Sequence, residues 1–137
     1  MNVRVLLVDA DDDSRAGLAQ RLRRTRGIEL VGEAHDVADA AQVLAQSEPD
    51  VVLVDLHGWD GQSAELCRGL CSLASAPLAV LASFMTPEHW ELLRRAGATD
   101  FLLKHVDTKR LGRALAELGT HHRKRAAEAA PREEDER

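Results

Sequence analysis

The chain has 137 residues, 45% of them hydrophobic and 30% charged, with a formal net charge of −5. That length suits one domain with its own core and excludes reliance on a metal or a disulfide framework for folding, and the composition excludes a wholly disordered chain. No apolar run approaches the roughly 20 residues that cross a bilayer, and the short apolar stretch Val3–Val8 leads straight into acids rather than a cleavage site. Neither a membrane span nor a secretory leader is expected, and the expected location is the cytoplasm.

Charge is unevenly placed. Residues 1–120 hold 13 Lys+Arg against 18 Asp+Glu, and residues 121–137 hold five of each. An acidic fold argues against direct nucleic-acid binding. The last stretch runs from Arg123, Lys124 and Arg125 to Glu133, Glu134, Asp135 and Glu136. We therefore expect a domain over 1–120 and a charged, flexible tail over 121–137. Cys67 and Cys71 are too few for a closed zinc site and read as small core residues in a reducing compartment.

Strand and helix patterns then alternate along the chain. Val3–Val8 (VRVLLV) reads as a buried strand. Helical spacing follows from about Asp13 to Arg26, capped by Asp12 or Asp13 and followed by Gly27. Ile28–Ala34 is a second strand, and Asp36 opens a second helix that Glu48-Pro49-Asp50 breaks. Val51–Asp55 (VVLVD) is the third strand. A loop over His57–Gly61 leads to a helix through Cys71. Pro77–Ala82 is the fourth strand. Thr86-Pro87 supplies a capping hydroxyl and a first-turn proline for a helix ending at Gly97. Asp100–Leu103 is the fifth strand, and Asp107 caps a last helix from Thr108 to about Leu118, closed by Gly119.

Five strands, apolar along much of their length, alternating with five helices predict an α/β fold: a parallel sheet covered on both faces, doubly wound in three layers. The working site of such a sheet lies beyond the carboxyl ends of its strands. Those ends present Asp9, Asp11, Asp12 and Asp13, then Asp55, then Ala82 and Ser83, then Lys104. Clustered carboxylates repel one another and favour a hard divalent cation, of which Mg2+ suits an oxygen-ligand site. A carboxylate at a strand end beside such a cation and a lysine is a plausible phosphoryl acceptor. For Asp11, Asp12 and Asp13 helix capping is an equally simple explanation.

The segments VLLVDADDDSRAGL, PDVVLVDLHGWDG, PLAVLAS and AGATDFLLK, over about residues 3–118, make the chain similar to the receiver domains of bacterial two-component response regulators. RAGL at 15–18 and ELVGEA at 29–34 resemble receivers of regulators with a LuxR-type helix-turn-helix. The resemblance implies a flavodoxin-like sheet of order 2-1-3-4-5, phosphorylation on Asp55, Mg2+ held by Asp9, Asp55 and the backbone carbonyl of His57, and a phosphoryl contact from Lys104. It also implies a sensor histidine kinase or phosphotransfer protein as donor, and an output protein that contacts residues 87–118. A homodimer is compatible with it. The chain is not expected to be an enzyme beyond self-phosphorylation from a donor and slow autodephosphorylation. Within the given sequence no helix-turn-helix pattern follows the fold, so the chain reads either as a stand-alone receiver, whose message passes by protein contact, or as a piece of a longer regulator.

The chain departs from the family at four places. Ala10 stands where a second acid is usual, with Asp11 as the candidate substitute. The loop Asp55-Leu56-His57-Gly58-Trp59-Asp60-Gly61 is two residues shorter than usual and lacks Met-Pro. Ala82 replaces the hydroxyl that ends strand four, while Ser83 falls on the other face. His105 follows Lys104 where proline is usual. Phe101 keeps the aromatic switch position without a hydroxyl. The expectation is thus an atypical receiver with weak metal binding, against an alternative of a phosphorylation-independent pseudo-receiver. A more distant alternative is a haloacid-dehalogenase-type phosphatase with Asp9 as nucleophile and Asp11 as acid, but the later acidic motif of that family is missing. A calcium loop over Asp9, Asp11 and Asp13 fails at Ser14 and Gln20.

Overall fold

The computed structural model describes residues 2–59 and 61–129. Asp60 and the acidic run 133–136 lie outside them. The elements in order are β1 (Val3–Asp9), α1 (Asp12–Arg23), β2 (Ile28–Ala34), α2 (Val37–Leu44), β3 (Val51–Asp55), α3 (Gln62–Leu73), β4 (Leu78–Ala82), α4 (Pro87–Arg95), β5 (Asp100–Leu103) and α5 (Thr108–Ala129). All strand pairs are parallel, in the order β2-β1-β3-β4-β5.

The layering follows from the two-residue period of a strand. Val5 and Leu7 of β1, Val51 and Leu53 of β3, and Ala79 and Leu81 of β4 face α1 and α5, where they meet Leu18, Leu22, Leu111 and Leu115. Their neighbours Leu6, Val8, Val52, Val54, Leu78 and Val80 face the other way, onto Ala40, Cys67, Leu70 and Leu93 of α2, α3 and α4. The three central strands are apolar on both faces because both faces are covered. Full burial of each large aliphatic contributes about 1.5–3 kcal/mol.

Two sequence expectations are corrected at helix ends. The cap of α1 is Asp11, whose Oδ1 accepts from the Asp13 and Ser14 amides at 3.0 and 3.1 Å, so Asp12 and Asp13 lie in the first turn instead. The last helix does not stop at Gly119 but continues to Ala129. Gly119 is where α5 crosses the start of the sheet: a Cβ there would lie 2.3 Å from Val3 Cγ1 and 3.1 Å from Asp50 Cβ. Close approach, not helix termination, explains the glycine. Beyond it Arg123 donates to the Asn2 carbonyl at 2.6 Å and pairs with Asp50, so residues 121–129 form a helix held beside the starts of β1 and β3, where a flexible tail was expected. Among the described residues no helix is long and apolar enough to cross a membrane.

Candidate functional site

The sheet brings Asp9 and Asp55 together because β1 and β3 are neighbours in register, with Asp9 paired to Asp55 at their carboxyl ends. Both are buried, Asp9 at 1% and Asp55 at 7% exposure. β5, at the far edge, ends one residue before Lys104, whose amide donates to the Ala82 carbonyl at 2.8 Å. From there Lys104 Nζ reaches back to Asp55 Oδ1 at 2.8 Å. Burial pushes the Asp55 carboxyl above its usual range. The Lys104 ammonium opposes that shift, Asp9 adds to it, and a charged His57 would oppose it.

The loop after β3 turns the His57 ring into this group. Its Nε2 lies 2.7 Å from Asp9 Oδ1 and its Nδ1 lies 3.3 Å from Lys104 Nζ. A ligand atom from each of Asp9, Asp55 and His57 lies within 4.8 Å of the others. Asp9 Oδ2 is buried with no hydrogen-bond partner. An unpaired buried carboxylate oxygen is costly, so this one marks a place for a cation. The carboxylate pair therefore fits a divalent ion held by Asp9 and Asp55, with His57 alongside.

Other expected residues are placed differently. Asp11 is engaged in capping α1 and is outside that group; its carboxyl is held below the usual range chiefly by the Ser14 amide. Ala10 is exposed and lines an open groove of about 620 Å³ with Asp55, His57, His35 and Leu66. Ala82 is buried at the end of β4 and Ser83 is exposed. Phe101 is half-buried with its ring tilted against Trp90, centroids 5.0 Å apart. For His57 the resemblance pointed to the backbone carbonyl, and the feature the structure displays is the imidazole.

Sequence reasoning missed several contacts around the site. Ser14 Oγ donates to Asp55 Oδ2 at 3.2 Å, and Arg15 Nη1 donates to the Asp9 carbonyl at 2.9 Å. Both residues lie in the first turn of α1, which the Asp11 cap starts beside the ends of β1 and β3. The Trp59 and His89 rings stack 3.9 Å apart and join the acceptor loop to α4. His35 pairs with Asp36 at 3.1 Å and with Asp39 on an exposed corner.

Comparison with known proteins agrees with this fold. The model of the response regulator receiver domain family matches residues 5–116. The chain is 33% identical over 118 residues to the DNA-binding transcriptional activator DevR/DosR of Mycobacterium tuberculosis, covering 85% of this chain and 54% of that protein. It is 37% identical over 106 residues to the transcriptional regulatory protein LiaR of Bacillus subtilis, covering 74% and 49%. The chain thus spans about half the length of these curated relatives. Among solved structures, the signal receiver domain of the putative response regulator NarL from Mycobacterium tuberculosis superposes with a TM-score of 0.72 at 26% identity, covering 87% of this chain and 97% of that one. With five parallel strands in the order 2-1-3-4-5, an acid ending β3 and a lysine after β5, the chain belongs to the response regulator receiver domain family of two-component signalling.

Proposed function

We propose that this receiver accepts a phosphoryl group on Asp55 from a sensor histidine kinase or phosphotransfer protein, and passes the signal on by protein contact through residues 87–118. The observation that carries the reading is the buried Asp55 carboxylate, ion-paired to Lys104 at 2.8 Å and set beside Asp9. In the transfer a carboxylate oxygen of Asp55 bonds to phosphorus while the bond from phosphorus to the donor breaks, leaving an acyl phosphate on Asp55. Ser14 Oγ holds Oδ2 at 3.2 Å and so limits rotation of the carboxylate. Lys104 offsets negative charge gathering on the equatorial phosphoryl oxygens. Asp9 and Asp55 would hold Mg2+, which would supply charge neutralisation for the phosphoryl group. Ala82 has no hydroxyl to follow the phosphoryl group, so the expected route from the site to the output face is weakened at β4.

A second reading, a phosphorylation-independent interaction module, is favoured by that alanine and by the His57 ring on Asp9. Intact-mass measurement after incubation with Mg2+ and acetyl phosphate, beside Asp55→Asn, separates the two. A gain of one phosphoryl group in the wild type and none in the variant is expected. No gain with acetyl phosphate or with a phosphorylated phosphotransfer protein would favour the interaction module.

A further inference from the structure

We propose that a chain of ring contacts, Trp59 on His89 and Trp90 on Phe101, carries the state of the Asp55 site to α4 and β5 in place of the hydroxyl that Ala82 lacks. Trp59 and His89 are its positioning residues. The proposal rests on the reading of Asp55 as the phosphoacceptor and adds how that site reaches residues 87–118.

The first link is the loop after β3. Leu56 is fixed to β4, its amide donating to the Leu81 carbonyl at 2.8 Å. The next residue touches the site. His57 Nε2 lies 2.7 Å from Asp9 Oδ1, and its Nδ1 accepts from Lys104 Nζ at 3.3 Å. Lys104 also holds Asp55 Oδ1 at 2.8 Å. One ammonium thus serves the acceptor and the loop together. A phosphoryl group on Asp55 adds negative charge on the acceptor side of Lys104, and an ammonium follows the stronger charge. The imidazole then loses its donor, and His57 is exposed, so its ring has room to turn.

The second link turns that motion toward α4. Gly58 has a φ of +75°, a conformation that favours glycine, and it sets Trp59 beside the end of β4. The indole lies nearly parallel to the His89 imidazole, with 15° between planes and 3.9 Å between centroids. The void that these rings share with Ala82, Ser83 and Met85 is only about 10 Å³. A space no larger than one water cannot take up a displaced indole, so a Trp59 pushed inward presses on His89.

The third link lies inside α4. Thr86 Oγ1 accepts the His89 amide at 3.1 Å and so fixes His89 in the first turn. Trp90 follows it, and its ring meets Phe101 of β5 with centroids 5.0 Å apart. Neighbouring residues of one helical turn therefore touch the acceptor loop on one side and the β5 aromatic on the other. The helix is nine residues long, so a push on its first turn moves a short, stiff element. The ring chain reaches Phe101 without passing through Ala82.

The test is amide hydrogen exchange over residues 87–101 of the full chain, with and without Mg2+ and beryllium fluoride. This phosphoryl mimic is read separately by fluorine NMR, with Asp55→Asn as the blank. Binding is expected to change exchange there about fivefold or more in wild type. Trp59→Ala and His89→Ala are expected to bind the mimic within about twofold of wild type and to lose the change. His89→Tyr, which keeps a ring, is expected to retain it, and melting curves check that each variant folds. A resting arm uses no ligand. His57→Ala should alter exchange over 87–101, and should leave it unaltered when Trp59 is alanine as well. Bound mimic with unchanged exchange in wild type, or a change that survives both Trp59→Ala and His89→Ala, would overturn the ring chain and leave the phosphoacceptor reading standing. A wild type that binds no mimic would sink the phosphoacceptor reading instead. The resting arm then decides: coupling between His57 and Trp59 keeps the ring chain, and its absence ends it.

Discussion

The two ends of the sheet use buried carboxylates in opposite ways. At the end where strands begin, Asp50 is 7% exposed and engaged twice through one oxygen. Its Oδ2 accepts from the Arg4 amide at 2.8 Å and meets the Arg123 guanidinium, while its own amide donates to the Arg4 carbonyl at 2.7 Å. At the end where strands finish, Asp9 keeps one oxygen without a partner, and the Asp55 carboxyl is pushed up by burial despite Lys104. Residue type and exposure are alike, so neither distinguishes a structural acid from a functional one. What distinguishes them is whether the chain supplies the partners. A satisfied carboxylate closes a structure, and an under-satisfied one is held ready for something that arrives.

Removing a carboxylate at each end tests that contrast. The largest effect is expected from Asp50→Ala. It leaves the Arg4 amide without its acceptor and removes the ion pair of Arg123, and losing hydrogen bonds to a charged group costs about 3 kcal/mol in all. Chemical denaturation should show the loss as a lower midpoint, with phosphoryl acceptance unchanged in the fraction that remains folded. An unchanged midpoint would mean that Asp50 is no anchor and that the contrast between the ends is false.

Next in size is Gly119→Ala. In a free helix this change stabilises by about 1 kcal/mol. Here the added methyl would sit 2.3 Å from Val3 Cγ1, and Val3 is 3% exposed with no room to swing away. Overpacking of this kind costs roughly 1–3 kcal/mol, so the net sign should reverse to destabilising. A variant more stable than wild type would show that α5 does not press on β1.

That glycine also marks what could be read from the sequence and what could not. β2, β3 and β5 were legible residue for residue, because strands bounded by turn signals announce their own limits. Thr86 and Pro87 likewise announced the start of α4. Gly119 misled because a glycine after a helical run reads as a stop, whereas its cause is a contact with residues 3 and 50. Three successive aspartates could each cap α1, and only the turn in which Asp9 Oδ1 accepts the Asp11 amide at 2.9 Å selects Asp11. Asp9, Asp55 and Lys104 were legible as site residues because the ends of parallel strands meet at one edge. The His57 ring was not, since its direction depends on the path of a short loop rather than on any periodic pattern. Ser14 and Arg15 were hidden behind the mistaken cap.

The smallest expected effect has the opposite sign from that of Asp50→Ala, and it is the sharper test of the contrast. The Asp55 carboxyl is raised in the folded chain by burial, with the Lys104 ammonium only partly offsetting that cost. The folded state therefore binds a proton at Asp55 more tightly than the unfolded state does. The stability that this proton confers is fully present below the unfolded pKa and is lost as pH rises through the folded one. At neutral pH wild type has lost that increment and holds a carboxylate at a cost. The side-chain amide introduced by Asp55→Asn does not titrate and carries no such cost. In metal-free buffer at pH 7, Asp55→Asn should melt at or above the wild-type temperature, and the gap should close as pH falls toward about 4, near the ordinary carboxylate range. A variant less stable than wild type at pH 7 would mean that the pair with Lys104 outweighs burial. Asp55 would then be a satisfied acid like Asp50, and the distinction between the two ends of the sheet would rest on Asp9 alone.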